Sequence, residues 1–363
     1  MILEKKYKIA LIGYRLSSGG SDRVMARLGV FFEQNNIEVH NIIVVDEVSY
    51  PYSGKLVNLG LLKDETNGFF NKIKRLKALR SYLNQNNFDY IIDFRFRTKP
   101  IQELIISRFI YNAKVIFTVH SYLIDHYMPN NSWLTNRIYD NSFAVVSLTE
   151  KMTKLINEKH QLKNIVTIAN PINSEEIDLL KETPIDLDFQ FIIAVGQYET
   201  PIKQFDKLIA TYSKSDLPKK NIHLVILGDG DKNSLEQPMK EFSVEEKVHL
   251  LGYQDNPFQF ISKAMFLVLC SENEGMPNVL IESLACETPV IAFDCDSGPS
   301  EIITNDNGIL VENQNWEQLK LAIERLISNY DLYLHFKSNA KKSISKFEID
   351  SIGKKWLDLL KIK

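Results

Sequence analysis

What this sequence lacks first is a long apolar run. Nowhere do its 363 residues approach the roughly twenty consecutive apolar positions that a helix needs to cross a bilayer. The first apolar run, residues 9–12, stops at Gly13. It is too short for the hydrophobic segment of a secretory leader and reads as a buried strand. Cysteine is scarce as well. Cys270, Cys286 and Cys295 show neither paired metal-ligand spacing nor a disulfide framework, which points to a reducing compartment. Charge of one sign is also missing: 43 basic residues face 46 acidic ones, for a net charge of -3. A chain-wide nucleic-acid footprint is thereby excluded. The expectation is a cytoplasmic protein that touches the inner face of the cell membrane only peripherally.

What is present is enough apolar material, 44% of positions, for large cores, in a length that favours two domains over one. Residues 8–14 read as a parallel strand, followed by a glycine-bearing turn. A helix then carries Val24, Leu28 and Phe31 at helical spacing, with Ser21 or Asp22 as its cap. Further Ile- and Val-rich runs at 41–46, 89–94, 114–120, 142–148 and 164–170 lack strict alternation, as strands buried on both faces do. After a polar, proline-bearing stretch the pattern restarts at 191–196, 223–230, 247–253, 265–271 and 288–294, with helical stretches between. The organisation expected is an N-terminal α/β domain over 1–172, a connection over 173–188 and a second α/β domain over 189–345. A terminal helix over 346–363 then packs on the first domain and buries Trp356.

The chemistry concentrates in CSENEGMPNVLIESLACETPVIAFDCDSGPSEII, residues 270–303. A strand ends at Cys270 and Ser271, a polar loop bears Glu274 and Gly275, and Pro277 and Asn278 open a helix that carries Glu282. Free amides around Pro277 and Leu280 suit an anion, and carboxylates accept hydrogen bonds from sugar or ribose hydroxyls. Read as residues alone, the pair serves a solvated helix as readily as a site. The segment also resembles the EGxxxxxxE signature of retaining glycosyltransferase family 4, which has the GT-B fold. Its glutamates fall at Glu274 and Glu282, and the likeness continues through Ser283, Leu284, Ala285, Pro289, Val290, Ile291 and Ala292.

The resemblance spans almost the whole chain, and it includes bacterial enzymes that build surface polysaccharide and lipopolysaccharide. It implies two Rossmann-like domains facing a central cleft, with a C-terminal crossover helix. Gly19 and Gly20, before Ser21, Asp22 and Arg23, look like the family's diphosphate-approaching turn. Lys203 matches its diphosphate cation, while Gln197 stands where the family has arginine. Glutamine can donate to a phosphate but cannot neutralise it. His120 occupies the position that faces the donor sugar, His126 is a poorer candidate for an acceptor loop, and Tyr253 reads equally as stacking on a base or as a partly buried aromatic. The implied donor-binding set is Gly19, Gly20, Gln197, Lys203, Glu274, Gly275, Met276, Pro277, Asn278 and Glu282; Glu274, His120 and Lys203 are the catalytic residues.

The reaction so implied transfers a hexosyl or N-acetylhexosaminyl group from a nucleotide sugar, preferably UDP-linked, to a lipid-linked or glycan acceptor. It retains configuration by front-face attack and needs no divalent metal or other cofactor; no Asp-x-Asp pair is read as a metal motif. The band Phe69, Ile73, Leu76, Leu79 and Leu83, set among Lys72, Lys74, Arg75, Lys77 and Arg80, reads equally as a helix on anionic lipid or as one packed on its own domain. FRFRTK, 94–99, offers cations to a phosphate or acidic acceptor. An epimerase and a non-catalytic glycan- or nucleotide-sugar-binding protein of the same fold are the alternatives. A dinucleotide oxidoreductase is disfavoured because GYRLSSGG lacks the G-x-G-x-x-G spacing.

Overall fold

A computed structural model describes residues 7–17, 19–64 and 68–362. The chain divides into two compact units, Met1–Pro171 with Ile349–Lys363, and Ile172–Glu348. The first contains strands β1 (Lys8–Gly13), β2 (Glu38–Ile43), β3 (Lys55–Asn58), β4 (Tyr90–Asp93), β5 (Lys114–Val119), β6 (Ala144–Ser147) and β7 (Ile165–Thr167). All pair in parallel, in the order β3-β2-β1-β4-β5-β6-β7. Helices α1 (Gly20–Gln34), α2 (Phe69–Asn86), α3 (Pro100–Ile105), α4 (Ser132–Tyr139) and α5 (Glu150–His160) supply the crossovers that parallel strands require. A π-helical turn, Ile106–Ile110, extends α3.

The second unit opens with α6 (Ser174–Leu180) and contains strands β8 (Phe191–Val195), β9 (His223–Leu227), β10 (Val248–Gly252), β11 (Leu267–Leu269), β12 (Val290–Asp294) and β13 (Gly308–Glu312). These are again parallel, in the order β10-β9-β8-β11-β12-β13. Its other helices are α7 (Phe205–Lys214), α8 (Asn233–Glu241), α9 (Phe258–Ile261), α10 (Asn278–Ala285), α11 (Pro299–Ile302), α12 (Trp316–Ser328) and α13 (Tyr330–Ser343). Strands such as FIIAV and HLVIL are buried along nearly their whole length, which is why they read as continuous apolar runs.

Several expectations need correction. Ser21 and Asp22 lie inside the first turn of α1 and cap nothing; Gly19 is the cap residue. Segment 173–188 does not stand apart as a connection. Asn173 caps α6 with its side chain, α6 packs on α9 and α10, and the segment belongs to the second unit. The helix read over 315–332 is two helices, because Asn329 closes α12 and caps α13 through the Leu332 amide. The second strand lies three residues earlier than read, since its pairing register with β1 starts at Glu38.

The terminal helix α14 (Ile349–Leu360) belongs to the first unit, where it packs on α1. Its approach is close: a Cβ on Gly353 would lie 2.2 Å from the Phe31 ring, so only glycine fits there. The Tyr90 hydroxyl donates to the Leu360 carbonyl, and Trp356 is buried in the same core cluster as Phe31 and Tyr90. Trp356→Ala is expected to cost about 3–5 kcal/mol of first-unit stability, read by chemical denaturation.

Candidate functional site

An open parallel sheet leaves a crevice at the carboxyl edge where its strand order reverses. In the second unit that reversal lies between β8 and β11. The loops leaving these strands, 196–204 and 270–277, are stitched together there. The Glu272 amide donates to the Ile202 carbonyl at 2.8 Å, and Gln204 Nε2 donates to the Cys270 carbonyl at 2.9 Å. Between them Lys203 Nζ donates to Glu274 Oε1 at 2.6 Å, both side chains being mostly shielded. Lys203 and Glu274 are 71 residues apart in sequence, and sheet topology alone brings them together.

The third loop of this edge follows β12, and Ser297 Oγ donates to the Gly275 carbonyl at 2.8 Å. Gly275, Met276 and Pro277 are buried at the amino end of α10, Asn278 begins the helix, and Glu282 lies one turn further in, only 6% exposed. The Leu280 amide turns back to the Pro277 carbonyl at 3.0 Å, and the amino end of α10 brings the helix's partial positive charge beside the Lys203–Glu274 pair. Gln197 is exposed in the Lys203 loop, and its Oε1 accepts from Thr200 Oγ1 at 3.2 Å. Tyr253, following β10, is half-exposed.

Tyr198 escaped the sequence reading. Its hydroxyl donates to the Ile226 carbonyl and accepts from the Gly252 amide, both at 2.9 Å, locking the ends of β9 and β10 to the Lys203 loop. No local motif announces it, because both partners are backbone groups. Gly228 lets two strand-end loops touch: a Cβ there would lie 1.6 Å from the Gly196 carbonyl oxygen. Three Asp-x-Asp spacings occur, at Asp186–Asp188, Asp229–Asp231 and Asp294–Asp296. Asp229 and Asp231 accept from the nearby amides of Gly230 and Asn233. Among the described residues no three His, Cys, Asp or Glu side chains gather into a metal-binding group. The thiols of Cys270, Cys286 and Cys295 are free and buried, and burial raises the pKa of each, so they are poor nucleophiles.

In the first unit the order reverses between β1 and β4. Gly19 and Gly20 are exposed at the amino end of α1, and the Gly19 amide donates to the Tyr50 hydroxyl at 3.3 Å. Arg23 lies over the Tyr50 ring, 5.0 Å from its centroid. His120 follows β5 with its ring 5.6 Å from that of Phe94; His126, further along the loop, is exposed. Both His120 ring nitrogens are buried without a hydrogen-bond partner among the described residues, although the residue as a whole is partly exposed. Burial first, and Arg97 second, push its pKa down to about 3, leaving a neutral imidazole.

The two arginines of FRFRTK are turned into the fold, contrary to expectation. Arg95 is buried and grips Asp93 through both carboxylate oxygens at 3.0 and 2.8 Å, and Glu103 at 2.9 Å. Arg97 is buried too. It donates to Tyr139 Oη at 2.8 Å and to the Thr118 carbonyl at 2.6 Å, with its guanidinium over the Phe117, Tyr127 and Tyr139 rings. Burial alone would raise the Asp93 carboxyl, but Arg95 and Arg97 override it and hold it below the usual range. Only Lys99 of this segment's cations stays exposed. Of the two readings of the α2 band, packing on its own domain holds for Leu79 and Leu83, which are core residues, while Phe69 and Phe70 are exposed. Between α2, α3 and the carboxyl ends of β1, β2 and β4 lies a cavity of about 280 Å³, with Lys63, Lys72, Arg75 and Lys99 in its lining.

Two Rossmann-ordered sheets, each with its polar groups at the switch point, define the GT-B class of glycosyltransferases, and solved structures agree. A glycosyltransferase from Rickettsia africae matches with TM-score 0.78 at 18% identity, covering 98% of both chains. Anabaena HepE, solved with UDP and glucose, matches with TM-score 0.78 at 16% identity over 98% of this chain and 99% of its own. Residues 175–343 match the family described as Glycosyl transferases group 1. The N-acetylgalactosamine-N,N'-diacetylbacillosaminyl-diphospho-undecaprenol 4-alpha-N-acetylgalactosaminyltransferase of Campylobacter jejuni is 30% identical over 97% of this chain and 99% of its own. An amylovoran biosynthesis glycosyltransferase of Erwinia amylovora is 27% identical over 98% and 99%. The chain belongs to the group 1 glycosyltransferase family.

The neutral His120 has a measurable consequence. Its ring resonances are expected to show no titration between about pH 5 and 8, where an ordinary histidine does titrate. The unfolded chain takes up this proton near pH 6.5 and the folded chain only near 3, so stability falls as pH drops through that window. His120→Phe is expected to recover up to about 2 kcal/mol at pH 5, read by denaturation at two pH values.

Proposed function

We propose that this chain is a retaining transferase of family 4. It moves a hexosyl or N-acetylhexosaminyl group from a UDP-sugar to a lipid-linked glycan in cell-surface polysaccharide synthesis, at the cytoplasmic face of the membrane and without a divalent metal. The observation that carries this reading is the Lys203–Glu274 pair at the switch point of the second sheet, beside the amino end of α10 and the buried Glu282. In this reading Glu282 holds the ribose and Glu274 orients the sugar hydroxyls. Lys203, Gln197 and the amino end of α10 take the diphosphate. An ammonium has three donors, so Lys203 can serve Glu274 and a phosphate oxygen together.

The acceptor hydroxyl attacks the anomeric carbon from the face that the diphosphate leaves. The bond from the anomeric carbon to the diphosphate oxygen breaks as the new glycosidic bond forms. The departing diphosphate takes the hydroxyl proton, and fixed donors stabilise its charge. The Campylobacter relative is named for a diphospho-undecaprenol acceptor. The lysine-lined cavity of the first unit, with its apolar walls, suits the diphosphate of such an acceptor.

UDP at a hundredfold its Kd is expected to raise the melting point by about 5–10 °C, with GDP, ADP and NAD inert and Glu282→Ala unresponsive. Stabilisation by NAD alone would overturn the reading. Transfer should survive EDTA, and NMR of the product should show the donor's anomeric configuration; inversion would remove it from this mechanism. Lys72→Ala and Lys99→Ala are each expected to raise KM about tenfold for a diphosphate-lipid acceptor while leaving donor KM unchanged.

A further inference from the structure

The first unit carries an apolar surface that its own core does not explain. On α3 and its π-helical extension, Ile101, Ile105 and Phe109 recur every fourth residue along one flank, 75%, 44% and 66% exposed. Trp133 on α4, which packs against α3, is 66% exposed. Arg108 joins the two helices by donating to the Arg137 carbonyl at 2.5 Å, and Arg137 in turn lies over the Trp133 ring at 5.3 Å. The π turn also packs against α2, whose amino end exposes Phe69 and Phe70. A large exposed apolar patch rimmed by charge marks an interaction surface.

The charge on these helices identifies the partner. Across α2, α3, the π turn and α4 the cations are Lys72, Lys74, Arg75, Lys77, Arg80, Arg108 and Arg137. The only acid is Glu103, which is buried and paired with Arg95 at 2.9 Å. In a chain with more acids than bases, three neighbouring helices with no exposed acid form a surface complementary to fixed negative charge. Bulky apolar side chains beside arginines fit an interface that is anionic at the headgroups and apolar just beneath.

We propose that this α3–α4 face, rather than the Leu76–Leu79–Leu83 side of α2, is where the protein inserts into an anionic phospholipid bilayer. Ile101, Ile105, Phe109 and Trp133 enter the headgroup–acyl boundary, while Arg108, Arg137 and the exposed Lys74, Lys77 and Arg80 of α2 hold lipid phosphates. The inference rests on the lipid-linked acceptor reading, because a membrane-bound acceptor is what makes such a face useful. It concerns a different surface from the donor site, and none of these four apolar side chains lines the lysine-bearing cavity.

Vesicle flotation tests it, using the full chain and vesicles of phosphatidylglycerol with phosphatidylcholine or of phosphatidylcholine alone. Binding is expected only with the anionic lipid, weakening with salt. It should fall by roughly tenfold for Phe109→Ser and again for Trp133→Ser. Leu179→Ser, at an exposed leucine of the second unit, should change nothing. All three variants should keep the melting shift with UDP, which separates this surface from the donor reading. Undiminished vesicle binding in the double variant would overturn the proposal. So would a wild type that ignores anionic vesicles, or one that self-associates through Phe109 in their absence.

Discussion

Everything at the candidate site depends on one constraint, the reversal of strand order in a parallel sheet. A parallel strand returns through a crossover on one face or the other. Where the chain changes sides, the loops from two adjacent strands diverge and leave their carboxyl ends uncovered. In the second sheet those strands are β8 and β11, and Lys203 and Glu274 lie on the two diverging loops. The first sheet repeats the arrangement, with the Gly19–Gly20 turn after β1 and the 94–99 segment after β4. Topology therefore decides which loops can cooperate, and residue type decides what they can do.

The two switch points spend their charges differently. At β4, Asp93 is fully buried and cannot stay ionised without partners, so it draws Arg95 inward, and Glu103 shares the same guanidinium. Arg97 fills an aromatic cage and ties the end of β5, two residues before His120, to the end of β4. These arginines hold the loop, and Arg97 adds to the burial that keeps the imidazole neutral. At β8 and β11 the ion pair keeps partial contact with solvent. A lysine with a flexible stem and three donors can accept a second anion there, whereas a buried bidentate arginine cannot.

Much of this architecture is legible in the sequence because parallel strands buried on both faces appear as unbroken Ile and Val runs. The two strands that escape notice, β3 and β13, are edge strands: β3 is KLVN, only partly buried, and β13 ends in an exposed Glu312. An edge strand is relieved of the burial that writes the signal. The boundary between α12 and α13 is hidden because Asn329 serves as stop and cap at once. In the site, Glu274, Glu282 and Lys203 stand out through their motif. Tyr198 does not, since a tyrosine that bonds only backbone leaves no pattern of partners in sequence. Nor can sequence tell whether Arg95 faces water or Asp93, because that depends on a register set by β1 and β5 on either side.

The departure at Gln197 finds its physical setting in the same geometry. An arginine at this strand end would add a fixed positive charge to the Lys203 loop; glutamine leaves Lys203 as the cation paired to Glu274. In the proposed donor site the shortfall in charge falls to the dipole and backbone amides at the amino end of α10, which Gly275, Pro277 and the Ser297 hydrogen bond hold in place. Backbone donors cannot be lost by a side-chain substitution and pay no rotamer entropy on binding. A cradle built mainly on them tolerates Gln197 better than one built on arginine alone. Its strength then rests on how firmly the loops after β11 and β12 are packed together, and Ser297 is the residue in a position to set that.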